Sequence, residues 1–121
     1  MDARHEIGRR GELIVAQWLE ARGYRLLGRN VRVGRLELDI IARRGGLVVV
    51  CEVRCRTDDR LVSPVETIDR AKAERVRRAA WLWLQDQPPH VRSASLRFDA
   101  ASVVLGPPGR EPRVDYYEDA L

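Results

Sequence analysis

The stretch LELDIIARRGGLVVVCEVRCR, residues 36–56, decides how this chain is read. Two apolar runs flank a turn-like Arg43-Arg44-Gly45-Gly46, which predicts a β-hairpin. Glu37, Asp39, Glu52 and Arg54 interrupt those runs, at positions where a strand built only for packing would be apolar. With residues 42 and 47 flanking a four-residue turn, Asp39 faces Val50 and Glu37 faces Glu52. Side chains alternate along a strand, so Glu37, Asp39 and Ile41 share a face with Val48, Val50, Glu52, Arg54 and Arg56. The other face, from Leu36, Leu38 and Ile40 to Val49, Cys51, Val53 and Cys55, is apolar and expected in the core. Asp39 and Glu52 become diagonal neighbours, within reach of one small ion. Neighbouring carboxylates repel unless a cation or a proton intervenes, and an all-oxygen set suits Mg²⁺ or Mn²⁺. Ordinary ion pairs with Arg35, Arg54 or Arg56 are the competing account of the same acids.

Working outward, residues 4–22 read as a helix ending at Gly23, with Val15, Ala16, Trp18 and Leu19 as its inward stripe. Counting back along that stripe places Glu12 on it, where a carboxylate is costly unless paired or bound to a cation. Residues 24–33 read as a strand broken near Gly28. Ser63-Pro64-Val65-Glu66 is a capping box with Pro at the first helical position, so a second helix is expected from Pro64 to about Gln85, before Pro88-Pro89. Its stripe, Val65, Ile68, Val76, Ala79 and Trp83, also includes Lys72, the only lysine in the chain. Trp81 falls on the polar side of that helix and is expected to pack against the end of the chain, with base stacking or a dimer contact as alternatives. Residues 95–105 form a strand, and 114–121 a short strand or turn. The order is helix, three strands, helix, two strands, with no repeat or internal linker, as one domain over 1–121.

The 121 residues are 45% hydrophobic and 33% charged, enough for one real core. A net charge of +4 and a pI near 9.7 favour an anionic partner such as nucleic acid. No apolar run approaches the ~20 residues of a membrane span, and the N-terminal residues lack the apolar core of a secretory signal, so a cytoplasmic location without membrane partners is expected. Cys51 and Cys55 are too far apart on one strand for a good disulfide and read as free thiols. His5 and His90 read as surface residues, and there is no GxGxxG, Walker or GxSxG motif.

Asp39 followed, after twelve residues, by Glu52-Val53-Arg54 resembles the D…ExK signature of the PD-(D/E)xK nuclease superfamily. More closely, Gly11-Glu12, Asn30, the ELDII of 37–41, the VCEVRCR of 50–56, Lys72 and the RFD of 97–99 resemble the YraN family of predicted endonucleases, distantly similar to archaeal Holliday-junction resolvases. The resemblance covers nearly the whole chain. It implies an α/β, restriction-endonuclease-like αβββαβ core with a mixed sheet flanked by helices. Glu12 would be the helix-borne acid, Asp39 and Glu52 the metal ligands for Mg²⁺ or Mn²⁺, and Arg54 the basic member, with Lys72 the family's helical lysine. Leu36 departs from the family's usual Gly, and Arg54 from its usual Lys. The latter exchange matters, because Arg supplies charge but cannot lose a proton near neutral pH.

The expectation is therefore a metal-dependent endonuclease acting on DNA, branched or otherwise structured, with Glu12, Asp39, Glu52 and Arg54 as catalytic residues. Arg9, Arg10, Arg56, Arg70, Lys72 and Arg77 are the candidates for contact with the DNA, since phosphate contacts supply most non-specific affinity. A nucleic-acid-binding module without turnover and an assembly subunit are the alternatives, and a homodimer is compatible with all three.

Overall fold

The computed structural model describes residues 3–58 and 69–121. Helix α1 (Ala3–Glu20) precedes three strands, β1 (Arg25–Val33), β2 (Leu36–Arg44) and β3 (Leu47–Arg56). After them come α2 (Arg70–Gln85), the short α3 (Pro89–Arg92), β4 (Ser95–Val104) and β5 (Arg113–Tyr117). The strands form one sheet in the order β1-β2-β3-β4-β5, antiparallel except for the parallel β3–β4 pair. This mixed sheet flanked by helices is the α/β, restriction-endonuclease-like αβββαβ arrangement expected from the sequence. Among the described residues no helix is long and apolar enough to cross a membrane.

Alternation along β3 divides two cores. Val49, Cys51 and Val53 pack with Val15, Ala16 and Leu19 of α1, while Val48 and Val50 pack with Val76, Ala79, Ala80 and Leu84 of α2. Both faces of the hairpin are thus covered, not only the wholly apolar one. Gly11 sets how closely α1 approaches: a Cβ there would lie 2.4 Å from Cys55 Cβ, so only glycine lets the helix settle on β3. In β1 the expected break appears as a register shift between Leu26 and Gly28.

The hairpin register differs from the expected one. Arg44 pairs with Leu47 and Ile41 with Val50, so the turn is the two residues Gly45-Gly46, with Gly45 at φ 58°. Two-residue turns with positive φ match strand twist better than the four-residue turn inferred from RRGG. The slip is two residues, which preserves the face of every side chain in β3.

Pairing of β2 with β3 stops at Ile40↔Cys51, while β2 stays paired with β1 down to Leu36. A two-stranded ribbon twists more strongly than a wide sheet. Leu36 and Leu38 accordingly join the α2 core, away from Ile40 and Ala42 in the α1 core, contrary to simple alternation.

Helix α2 begins at Arg70, capped by the extended Asp69, whose side chain accepts from the Lys72 amide at 2.7 Å. The Ser63-Pro64-Val65-Glu66 start, and Val65 and Ile68 of the expected stripe, lie outside the described residues.

Candidate active site

Where β2 leaves β3, the missing ladder bonds are replaced by carboxylates. The Asp39 amide donates to Glu52 Oε2 at 3.3 Å, and the Val53 amide donates to Asp39 Oδ2 at 2.9 Å. Continuing the observed register by one residue sets Asp39 opposite Glu52, closer than the diagonal relation expected, and removes Glu37 from that position. Glu37 instead pairs along β1 with Arg32 and lies exposed at the rim. Two acids interrupt the apolar runs because their oxygens satisfy amides that the divided sheet leaves without partners.

Above this pair opens a cleft of about 340 Å³, lined by His5, Arg9 and Glu12 of α1, Asn30 of β1, Glu37 and Asp39 of β2, and Lys72 of α2. Glu52 lies beneath it, 2% exposed. Lys72 Nζ stands 3.7 Å from Glu52 Oε1, so the lysine expected to contact substrate also neighbours the buried carboxylate. Glu12 is buried through the close seat of Gly11, and its Oε1 has no hydrogen-bond partner among the described residues. Asn30, at φ 52° where non-glycine residues are uncommon, hydrogen-bonds the Glu12 side chain.

Burial raises all three carboxyls, and repulsion by Asp39 adds to it at Glu12 and Glu52. Glu52 is pushed up to about 7, first by burial and then by Asp39. Asp39 is raised by burial against the opposing pull of the Val53 amide, Lys72 and Arg54. Glu12 is raised by burial and by Asp39, against Asn30, Arg9 and Arg29. Acids held above their ordinary range in a cleft are the electrostatic mark of a site that accepts positive charge.

Among the described residues no three His, Cys, Asp or Glu side chains are grouped to hold one metal ion. The structure brings Asp39 and Glu52 together, and Glu12 lines the same cleft without completing a triad. The donor chemistry nevertheless fits a hard cation: the set is all oxygen, and Glu12 Oε1 is buried and without a partner among the described residues.

The remaining candidates divide. Arg9 lines the cleft and donates to His5 Nε2 at 3.2 Å. Arg54, half-buried two residues beyond Glu52, acts electrostatically on both acids, and its buried Nε has no hydrogen-bond partner among the described residues. Arg56 is half-buried at the end of β3 and Arg70 exposed at the start of α2. Arg10 lines a separate pocket with residues 105–110. Arg77 is committed elsewhere, its guanidinium 4.6 Å over the Phe98 ring and bonded to the Leu121 backbone oxygen. The RFD of 97–99 is also a packing device. Asp99, fully buried, accepts from Arg97, from Tyr116 Oη at 2.6 Å and from the Asp119 amide at 2.8 Å.

His5 and Asn30 were not marked as site residues from the sequence. His5 stood alone without an acid at useful spacing, and only the helix–strand crossing brings it to the cleft. Asn30 stood among the landmarks of the family resemblance without a role, and its own signal is an amide side chain in an otherwise strand-forming run near a glycine break.

Residues 11–103 match the model of the uncharacterised protein family UPF0102. Curated relatives include a UPF0102 protein of Leifsonia xyli subsp. xyli, 43% identical over 104 residues that cover 86% of this chain and 86% of the relative. One from Anaeromyxobacter dehalogenans is 39% identical over 120 residues, 99% of this chain and 87% of its own. A third, from Dictyoglomus turgidum, is 33% identical over 116 residues, 96% and 97% of the two chains.

Proposed function

The chain belongs to the uncharacterised protein family UPF0102, the YraN family, and from its own cleft we propose a metal-dependent endonuclease-like protein that hydrolyses phosphodiester bonds in DNA, branched or otherwise structured. The observation that carries this reading is the Asp39–Glu52 pair, two raised carboxyls facing each other where the sheet divides, with Lys72 3.7 Å from Glu52.

Asp39 and Glu52 would hold Mg²⁺ or Mn²⁺, with Glu12 the third carboxylate at hand. A bound divalent ion supplies Lewis acidity toward a phosphoryl oxygen and lowers the pKa of a bound water. Lys72 places an ammonium at the buried carboxylate, where it can orient the attacking water and offset charge developing on the phosphate. Arg54 adds positive charge from the strand side, where it already pulls on Asp39 and Glu52. Arg9 and Arg70 are candidates for phosphate contacts beyond the reacting group.

A second reading, a DNA-binding module without turnover, is favoured by two observations: Asp39 and Glu52 already accept amide bonds, and Arg54 stands where the D…ExK pattern has Lys. Two measurements separate these. Calorimetric titration of Mg²⁺ and Mn²⁺ into wild type and Asp39→Asn tests the site, and cleavage of a panel of linear and branched DNAs tests turnover. Metal binding with cleavage supports the nuclease. DNA binding with neither supports the module.

A further inference from the structure

Helix α2 leaves an apolar and cationic face in solvent. Leu82 is 54% exposed and Trp81 57%, so Trp81 is not buried against the chain end as the sequence suggested. Beside Leu82 runs a groove of about 240 Å³ between α2 and the β1–β2 turn, walled by Val33, Leu36 and Leu82 and rimmed by Arg35, Arg75 and Arg78. Among the described residues no acidic side chain lines it. Leu36 also lines the acidic cleft, so the two depressions meet at one side chain. Trp81 stands one helical turn beyond Arg78, a neighbour on the same surface.

We infer that this groove holds an unpaired stretch of the DNA strand leaving the cleft, with the three arginines on its phosphates and Trp81 stacked on a base. The inference rests on the proposed function, which supplies DNA as the partner. Charge decides between occupants. An anionic strand neutralises the guanidinium rim, whereas a second copy meeting through the same face would set two such rims against each other. Aliphatic walls and an exposed indole are the surface that unstacked bases seek, and they give a duplex with paired bases no comparable contact.

The test compares a fluorescein-labelled duplex with the same duplex carrying a single-stranded arm, followed by anisotropy in EDTA. Wild type is expected to bind the armed DNA roughly tenfold more tightly, the scale of one base–aromatic stack. Trp81→Ala should lose that preference while keeping duplex affinity and its circular dichroism, and Trp81→Phe should retain most of it. Equal affinity of wild type for both DNAs, or a preference unchanged in Trp81→Ala, overturns the inference and leaves the DNA reading standing. Binding of neither DNA overturns both. Sedimentation showing a wild-type dimer that Trp81→Ala and Leu82→Ala dissociate would assign the face to a second copy and overturn it as well.

Discussion

The amide of Asp39 donates to the carboxylate of Glu52 across 3.3 Å at the first residue of β2 that no longer pairs with β3. A strand carrying acids in an apolar run is thereby reconciled with packing, because the acids cap the opening of the sheet. The same arrangement holds the two carboxyls close and desolvated, so their mutual repulsion persists in the folded state. A cation or a proton relieves it.

Asp39 should therefore separate structure from chemistry. Asp39→Asn keeps an oxygen for the Val53 amide, whereas Asp39→Ala leaves that donor unsatisfied. The alanine variant is expected to be less stable than the asparagine variant by about 1–3 kcal/mol in urea unfolding. Both should lose divalent-ion binding and cleavage. DNA affinity in each should equal or exceed that of wild type, since removing a carboxylate lessens repulsion of phosphate. A variant that binds the ion as wild type does would remove Asp39 from the ligand set.

Close approach of α1 to β3 gives a second prediction. In Gly11→Ala the new Cβ meets Cys55 Cβ at 2.4 Å and Cys55 Sγ at 2.9 Å, and both belong to a packed strand. Overpacking of this kind costs about 1–3 kcal/mol, read as a drop in urea midpoint. Adding Cys55→Ala removes only the sulfur contact, so the double variant should recover little.

Glu52 predicts the pH dependence of the ion-free protein. Its carboxyl is held at about 7 in the fold against an ordinary 4.5, so between those values the unfolded chain is charged there and the folded one is protonated. A folded pKa raised in this way stabilises fully below the unfolded value, and the contribution is lost as pH rises through about 7. With EDTA present, wild type should lose stability relative to Glu52→Gln as pH rises from 4.5 to about 7, with a slope of about 1.4 kcal/mol for each pH unit. A difference between the two proteins that stays flat across the window would show that Glu52 ionises normally.

The sequence made the hairpin faces legible because alternation is insensitive to a two-residue slip, and Glu12 legible because its spacing from Val15 and Ala16 is helical. Register was harder to see. RRGG can turn over four residues or two, and the choice depends on strand twist that no single residue announces. Leu36 and Leu38 were misplaced for a related reason: alternation assumes a continuous sheet, and this one divides at Asp39. Asp69 as the cap of α2 went unseen behind the stronger Ser63-Pro64 signal. His5, Asn30 and the groove at Leu82 depend on how helices cross the sheet, which periodicity does not encode.

Lys72 and Arg54 are the two cations available to the proposed hydrolysis. Lys72 Nζ lies 3.7 Å from Glu52 Oε1, and its charge pulls the Glu52 carboxyl down, as that of Arg54 does to a smaller extent. Lys72→Met should act twice. It removes the ammonium, for which a loss of about 10²–10⁴ in rate is the scale of a positioned acid–base group. It also lets Glu52 rise further, so the acid limb of the pH–rate profile and the pH dependence of metal binding should both move to higher pH. Arg54→Lys keeps the charge while exchanging a fixed fork for a compact group that can release a proton. It is expected to raise cleavage at neutral pH and leave that limb nearly in place. If Arg54→Lys instead lowers cleavage with metal affinity unchanged, the guanidinium is an adapted catalytic group. Lys72 would then serve mainly to tune Glu52, and Lys72→Arg should retain most of the activity.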